Sequence, residues 1–378
     1  MKAKHILLNF LVGAASVSSL TANPPLITVG EYADVRALLS VTGKYQDNIF
    51  LRDSNKKSDY SATISPGVEI DIGGADRKAA SMVFEYREDI IRYSSNSNLD
   101  SSNTNLALKG RYETARYHIN GLASWRQAQQ NTADARLDGV LVRREITNLA
   151  LSGEYKISTL FNVGSGISYE ETRYKNGNFR NSDNLTIPVN LYYDLTPNYA
   201  VSVGYRYRDT TVKRGNNRQT HFFNVGIRGE ILPRLNGSVQ IGYDYVDIAN
   251  QKSRSGLGAD AHLTYLLTPK ARLILSFSKD FNTAANGSIT DKTGGTLTAV
   301  YDINPLWSAD ANIGYTNQAY KDSSGRTDRI TSAGVGVSYT PESYLKFSAG
   351  YNLQVNDSTI SRIGYTNNVF DISASLRY

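Results

Sequence analysis

The chain has 378 residues and a formal charge of +6; 40% are hydrophobic, 20% are charged, and the sequence holds 26 Tyr, 30 Gly, 9 Pro and no Cys. Zero Cys excludes disulfides, thiolate metal sites, Cys nucleophiles and a lipid anchor on an N-terminal Cys, and the wealth of strand and turn formers argues against an all-helical fold. Past the N-terminus no stretch approaches the roughly 18 uninterrupted apolar residues of a spanning helix, which leaves open a membrane barrel, whose strands need only every second residue apolar.

In chain order, Lys2 and Lys4 precede an apolar run from Ile6 to Val12 and then small residues ending at Ala22. This pattern predicts a secretory signal over 1–22, rather than a short anchoring helix. Losing two lysines with it takes the formal charge from +6 to +4. A mildly basic exported chain is not expected to bind nucleic acid. Residues 23–34 read as a short periplasmic segment, and 35–378 as a single outer-membrane barrel.

Period-2 alternation predicts strands near 35–45, 60–71, 79–92, 104–113, 116–126, 146–156, 161–171, 185–194 and 199–209, then 221–230, 235–247, 257–266, 271–281, 294–302, 307–317, 331–339, 344–355 and 369–378. In the C-terminal half a repeat sets the frame. Prolines fall at 197, 233, 269, 305 and 341, a constant spacing of 36, and a fixed period has to be explained before any motif is read. Two alternating runs flank each proline: Val201, Val203, Tyr205 and Tyr207, for example, oppose Ser202, Gly204, Arg206 and Arg208. Each repeat therefore reads as strand, tight Pro turn, strand and longer polar loop. The whole is an all-β, transmembrane, antiparallel up-and-down β-barrel of 18 strands, with 16 as the alternative count.

Tyrosines fall at both ends of these strands on the apolar face. Tyr155, Tyr193, Tyr265, Tyr301 and Tyr339 precede tight turns; Tyr169, Tyr205, Tyr207, Tyr243, Tyr245, Tyr315 and Tyr351 lie at the opposite ends. Two such rows are the girdles of a barrel in lipid, where the ring is apolar and the hydroxyl needs water. In the last strand Phe370, Ile372, Ala374, Leu376 and Tyr378 alternate with polar residues and finish on an aromatic, which resembles the signal read by the bacterial barrel assembly machinery.

Tyr45-Gln46-Asp47-Asn48-Ile49-Phe50, then Ser58-Asp59, then Ser65-Pro66-Gly67 resemble the opening of the family described as Putative beta-barrel porin, of bacterial outer membranes. The resemblance implies a porin fold and an association with exopolysaccharide synthesis and export. It brings no catalytic or binding motif. A periplasmic polysaccharide-export protein would have to be a separate chain.

Alternation places Lys44, Arg87, Lys109, Arg111, Arg116, Arg126, Arg206, Arg208 and Arg228 on the inward face, among Ser, Thr, Asn and Gly. Such a cluster would attract the carboxylates or sulfates of an acidic polysaccharide, or a smaller anion; alternatively, facing acids such as Glu85 and Glu113 pair with it. The long loop from Gln127 to Glu145 either folds inward as a constriction or projects outward. The mature histidines His118, His221 and His262 form no recognisable triad or metal set, so no catalytic residue, metal or cofactor is expected. Three functions follow: a channel for polysaccharide export, a general or anion-preferring diffusion porin, and a barrel-embedded enzyme or structural barrel. Outer-membrane lipid and lipopolysaccharide are the expected surroundings.

Overall fold

The structure is a computed structural model that describes residues 25–73 and 79–378; the expected signal at 1–22 lies outside them. Among the described residues the strands are β1 (Ile27–Val29), β2 (Ala33–Gln46), β3 (Asp59–Ile72), β4 (Ala80–Tyr93), β5 (Ser101–Glu113), β6 (Tyr117–Gln129), β7 (Arg143–Lys156), β8 (Phe161–Tyr174), β9 (Ser182–Asp194) and β10 (Tyr199–Val212). They continue with β11 (Arg218–Leu232), β12 (Leu235–Ile248), β13 (Arg254–Thr268), β14 (Ala271–Thr283), β15 (Ile289–Asp302), β16 (Trp307–Tyr320), β17 (Thr327–Glu342), β18 (Leu345–Ser358) and β19 (Tyr365–Arg377). A single 3-10 turn, Ser97–Leu99, interrupts them.

From β2 onward each strand pairs antiparallel with its neighbours in sequence, and β19 returns to β2 with Phe370 opposite Tyr45 and Ile372 opposite Gly43. Eighteen strands thus close into a barrel, which leaves no exposed edge in the ring. The short β1 pairs with Ala33, Asp34 and Val35 of β2, continuing the line that β19 leaves at Leu38. Each expected strand falls on an observed one, overhanging it by a single residue at 79, 116, 344 and 378, but the observed strands run further towards the long loops: Arg143 rather than 146, Arg218 rather than 221, Thr327 rather than 331. Near the rim both faces are wet, so alternation fades before the ladder does.

The turn chemistry explains the 36-residue period. Thr196 Oγ1 accepts the N–H groups of Asn198 and Tyr199, each at 3.2 Å. Thr268 does the same for Lys270 and Ala271 at 3.2 and 3.0 Å, and Asn304 Oδ1 for Leu306 and Trp307, each at 2.9 Å. The side chain before each of these prolines satisfies the reversing backbone while proline fixes φ, which sets the length of the turn and with it the register of the hairpin.

Register also fixes the faces. Val203, Val225, Ile241, Ile313, Val335 and Ile372 are exposed on the outside, as a lipid-facing band requires. Among the expected interface aromatics, Tyr193, Tyr243, Tyr245, Tyr265, Tyr301 and Tyr315 are exposed. Tyr205 hydrogen-bonds with His221 Nδ1 at 2.8 Å and packs on Phe223, Tyr207 packs on His221, and Tyr351 packs at a tilt on Phe370, with ring centroids 4.6 Å apart. Pro66 cannot donate to a ladder, and β3 skips its pairing with β4 there; Ser65 Oγ instead donates to Asp89 Oδ1 at 2.7 Å.

Candidate functional site

The inward face carries fixed charges on several strands, and most of the arginines already have partners. Arg228 on β11 donates twice to Glu154 on β7, at 2.6 and 2.7 Å, with its guanidinium 3.3 Å over the Tyr192 ring. Arg206 and Arg208 on β10 reach Asp280 on β14 at 3.1 and 2.6 Å, and Arg208 also donates to the Phe281 carbonyl. Arg206 lies over the Phe222 ring, 3.9 Å from the wholly buried Asp244. Arg87 meets Asp89 at 3.1 Å, with Glu85 at 4.0 Å, and Arg111 contacts Glu113. Arg116 is not on a strand: it occupies the turn between β5 and β6, where Thr114 Oγ1 accepts the N–H groups of Arg116 and Tyr117.

The single basic cluster expected from alternation therefore divides. Lys44, Lys109, Arg126 and Lys346, and Arg144, which sequence reading placed in a loop, have no acid within salt-bridge distance among the described residues. Lys109, Arg126 and Arg144 lie on the consecutive strands β5, β6 and β7, a strip of bases on one wall without a contact ion pair among the described residues.

The long loop between β6 and β7, residues 130–142, folds inward across the mouth. Asp134 accepts the Ala285 N–H at 2.6 Å and the Tyr320 hydroxyl at 2.7 Å, groups from the opposite side of the eighteen-strand ring. Arg136 donates to the Leu51 carbonyl at 2.6 Å and to that of Arg362 at 3.1 Å, and Arg326 donates to the Ala133 carbonyl at 3.0 Å. Around these bonds Ala135, Val142 and Ala285 form one buried cluster and Ile49, Phe50, Leu99 and Leu141 another. Burial pushes the Asp134 carboxyl above the usual aspartate range, against the pull of Tyr320, Ala285 and Arg326. The loop's length signalled a functional segment; nothing in its sequence showed which loops it would meet.

The opening motif serves barrel closure. Asp47 accepts the Asn368 N–H at 2.7 Å and its Nδ2 at 2.6 Å. The buried Asn48 donates to the Thr366 carbonyl at 2.9 Å and accepts the Arg52 N–H at 2.8 Å. Asp59 accepts three bonds from Ser95 and Asn96, tying the next loop down. Among the described residues no group of three or more His, Cys, Asp or Glu side chains could hold a metal ion.

A closed up-and-down barrel with an apolar outer band and a charged, wet interior is a membrane-spanning pore of the bacterial outer-membrane type. Residues 24–378 match the family described as Putative beta-barrel porin 2, and the chain belongs to that family of β-barrel porins. No curated protein sequence matches it. Among solved structures it is similar to the outer membrane protein OpdK from Pseudomonas aeruginosa, at 9% identity over 91% of this chain and 99% of that one, with a TM-score of 0.49. It is likewise similar to Pseudomonas aeruginosa OccK2 (OpdF) in complex with glucuronate, at 9% identity over 91% and 98% with a TM-score of 0.49. A bacterial polysaccharide outer membrane secretin aligns at 12% identity over 93% and 100%, with a TM-score of 0.39.

Proposed function

We propose that this porin is a gated outer-membrane channel for export of an anionic polysaccharide, working with a separate periplasmic export protein. The observation that carries this reading is the 130–142 loop, pinned across the mouth by bonds to the far wall. A passive pore needs no latched cover, whereas a channel that opens only for its cargo does. Lys109, Arg126 and Arg144, none of them in a contact ion pair among the described residues, supply the positive charge that acidic sugars would follow beneath it. On this reading residues 1–22 are the export signal, the tyrosine rows meet outer-membrane lipid and lipopolysaccharide, and the strand ending Phe370, Ile372, Ala374, Leu376 and Tyr378 is read by the barrel assembly machinery.

Planar-bilayer recording tests the gate. The wild-type channel should rest closed, the pair Asp134→Ala and Arg136→Ala should raise its open probability, and polyuronate oligomers should block the opened pore. Deletion of the protein should reduce surface polysaccharide; unchanged polysaccharide would count heavily against export. The strip of Lys109, Arg126 and Arg144 also suits a second reading, a diffusion porin for small anions. That reading requires a wild-type pore that stands open without partners.

A further inference from the structure

Three ladders of the barrel wall stop short of the rim. Between β5 and β6 pairing ends at Asn105 and Arg126, and Gln127 Oε1 there accepts the Thr104 N–H at 3.2 Å. Between β19 and β2 it ends at Val369 and Gln46, where Asp47 and Asn48 span the seam. Between β13 and β14 it ends at Ala259 and Lys279, although β13 stays paired with β12 to Arg254 and β14 with β15 to Thr283. Residues 254–258 and 280–283 thus run side by side without a ladder. Among the described residues, no side-chain hydrogen bond links the two segments.

Above that point the β14–β15 hairpin has turned inward. By register Phe281 and Ile289 share the face of the lipid-exposed Leu275 and Leu297, yet each is only 7% exposed. They pack against Val246 and Ile248, which share the inward face of Asp244. The lipid-side face of the hairpin therefore lies on the inner face of β12, and the rim of β13 overlaps it from outside. Gly256 and Gly258 permit the overlap: a Cβ at the first would touch the Phe281 ring at 3.5 Å, and one at the second would strike the Phe222 ring at 2.6 Å. On the lipid side Leu257 is 72% exposed. It sits opposite Tyr243, as Ser255 sits opposite Tyr245, so the split lies at the depth of the tyrosine row on the long-loop side. At the foot of the hairpin Arg206 and Arg208 hold Asp280, and Arg218 contacts Thr283.

We propose that the β14–β15 hairpin is a lateral flap, and that the slot beneath it passes a single-chain anionic amphiphile, such as an alkyl carboxylate, between the lumen and the outer leaflet. With the hairpin swung out, Phe281, Ile289, Val246 and Ile248 offer the chain an apolar path, the two glycines put no side chain in its way, and Arg218, whose buried Nη1 has no hydrogen-bond partner among the described residues, receives the anionic head. Of the three interrupted ladders this one alone lacks a side-chain bridge, so parting it breaks no hydrogen bond between the two strands. The tip of the flap is tied to the mouth loop by the Ala285 N–H bond to Asp134, so the lateral route opens beside the axial one and shares one fastening with it.

The chain has no Cys, so single cysteines report cleanly. In lipid nanodiscs, N-dodecylmaleimide should label Val246→Cys about tenfold faster than Val142→Cys, since the alkyl reagent concentrates in the bilayer. Both positions are wholly buried, but Val142 belongs to the mouth loops. A sulfonated, water-soluble maleimide should label Val246→Cys more slowly than the dodecyl reagent. Phe281→Ala should speed the dodecyl reaction several-fold, and dodecanoate, but not acetate, should slow it. Equal rates for the two reagents, absence of labelling, or equal competition by acetate and dodecanoate would each overturn the proposal. Heat-modifiable migration in gels verifies the barrel; if Val246→Cys does not fold, Ile248→Cys on the same face replaces it.

Discussion

Glu154 and Arg228 show how a lumen charge can be present yet silent. Their two bonds form a fork between β7 and β11, and both side chains are partly exposed to the lumen, so the pair is neither a free surface contact nor a dry ion pair. Removing one partner leaves the other charge facing the pore. Glu154→Gln should free Arg228 and shift the reversal potential towards anion selectivity, and Arg228→Gln should shift it towards cations. Each change should cost about 1–3 kcal/mol of stability, read from urea unfolding, because a charge-assisted bond is lost and its partner stays partly desolvated. Alternation in the sequence located Arg228 but not its partner, since Glu154 lies on a strand four places away in the ring and pairs through the lumen rather than along a ladder. The same holds for Asp280, which collects Arg206 and Arg208 from β10.

At the scale of the element, the 130–142 loop is held by polar bonds at its crest and apolar packing at its base, and pH should act on the first. Asp134 meets Tyr320, Arg326, Asp328 and the Ala285 N–H, and burial raises its pKa above the ordinary aspartate value despite the donors. A carboxyl whose pKa is raised in the latched state binds protons more tightly there than when the loop is free. The latch is therefore strongest below the ordinary aspartate value and weakens as pH rises through the raised one. Bilayer recordings should show longer closed times on acidification, and Asp134→Asn should flatten that dependence; a wild-type channel that opens in acid would contradict it. Such a latch is invisible to periodicity, which reports only on segments with two distinct faces. Hairpins bounded by Thr196 or Thr268 were legible because proline and a capping side chain dictate their turns locally. Phe281 and Ile289 depart from alternation because the β14–β15 hairpin packs its outer face on another strand, a tertiary event with no local signature.

For the whole molecule, alternation and turn spacing were enough to give eighteen strands and an antiparallel ring, because each strand depends on its sequence neighbours. Closure is the exception. The first and last barrel strands are more than three hundred residues apart in sequence, and their ladder ends before the rim. There Asp47 and Asn48 take over, with bonds to Asn368 and Thr366 and a fold-back onto Arg52. The motif that resembles the family's opening thus has a mechanical reading: it fastens the seam that chain connectivity cannot hold. Closing so long a loop carries the largest entropic cost of any pairing in the barrel. Loss of its anchors should accordingly be felt in assembly as well as in stability. Asp47→Ala deprives Asn368 of two acceptors and Asn48→Ala leaves the partly buried Arg52 N–H unpaired, each costing about 1–3 kcal/mol. In refolding into detergent or lipid, both variants should reach the compact, heat-modifiable form more slowly than wild type and unfold at lower urea. Asp59→Ala, which releases only the neighbouring loop, should lower stability without slowing closure. Equal refolding rates for all three would place the rate-limiting step elsewhere than the β19–β2 seam.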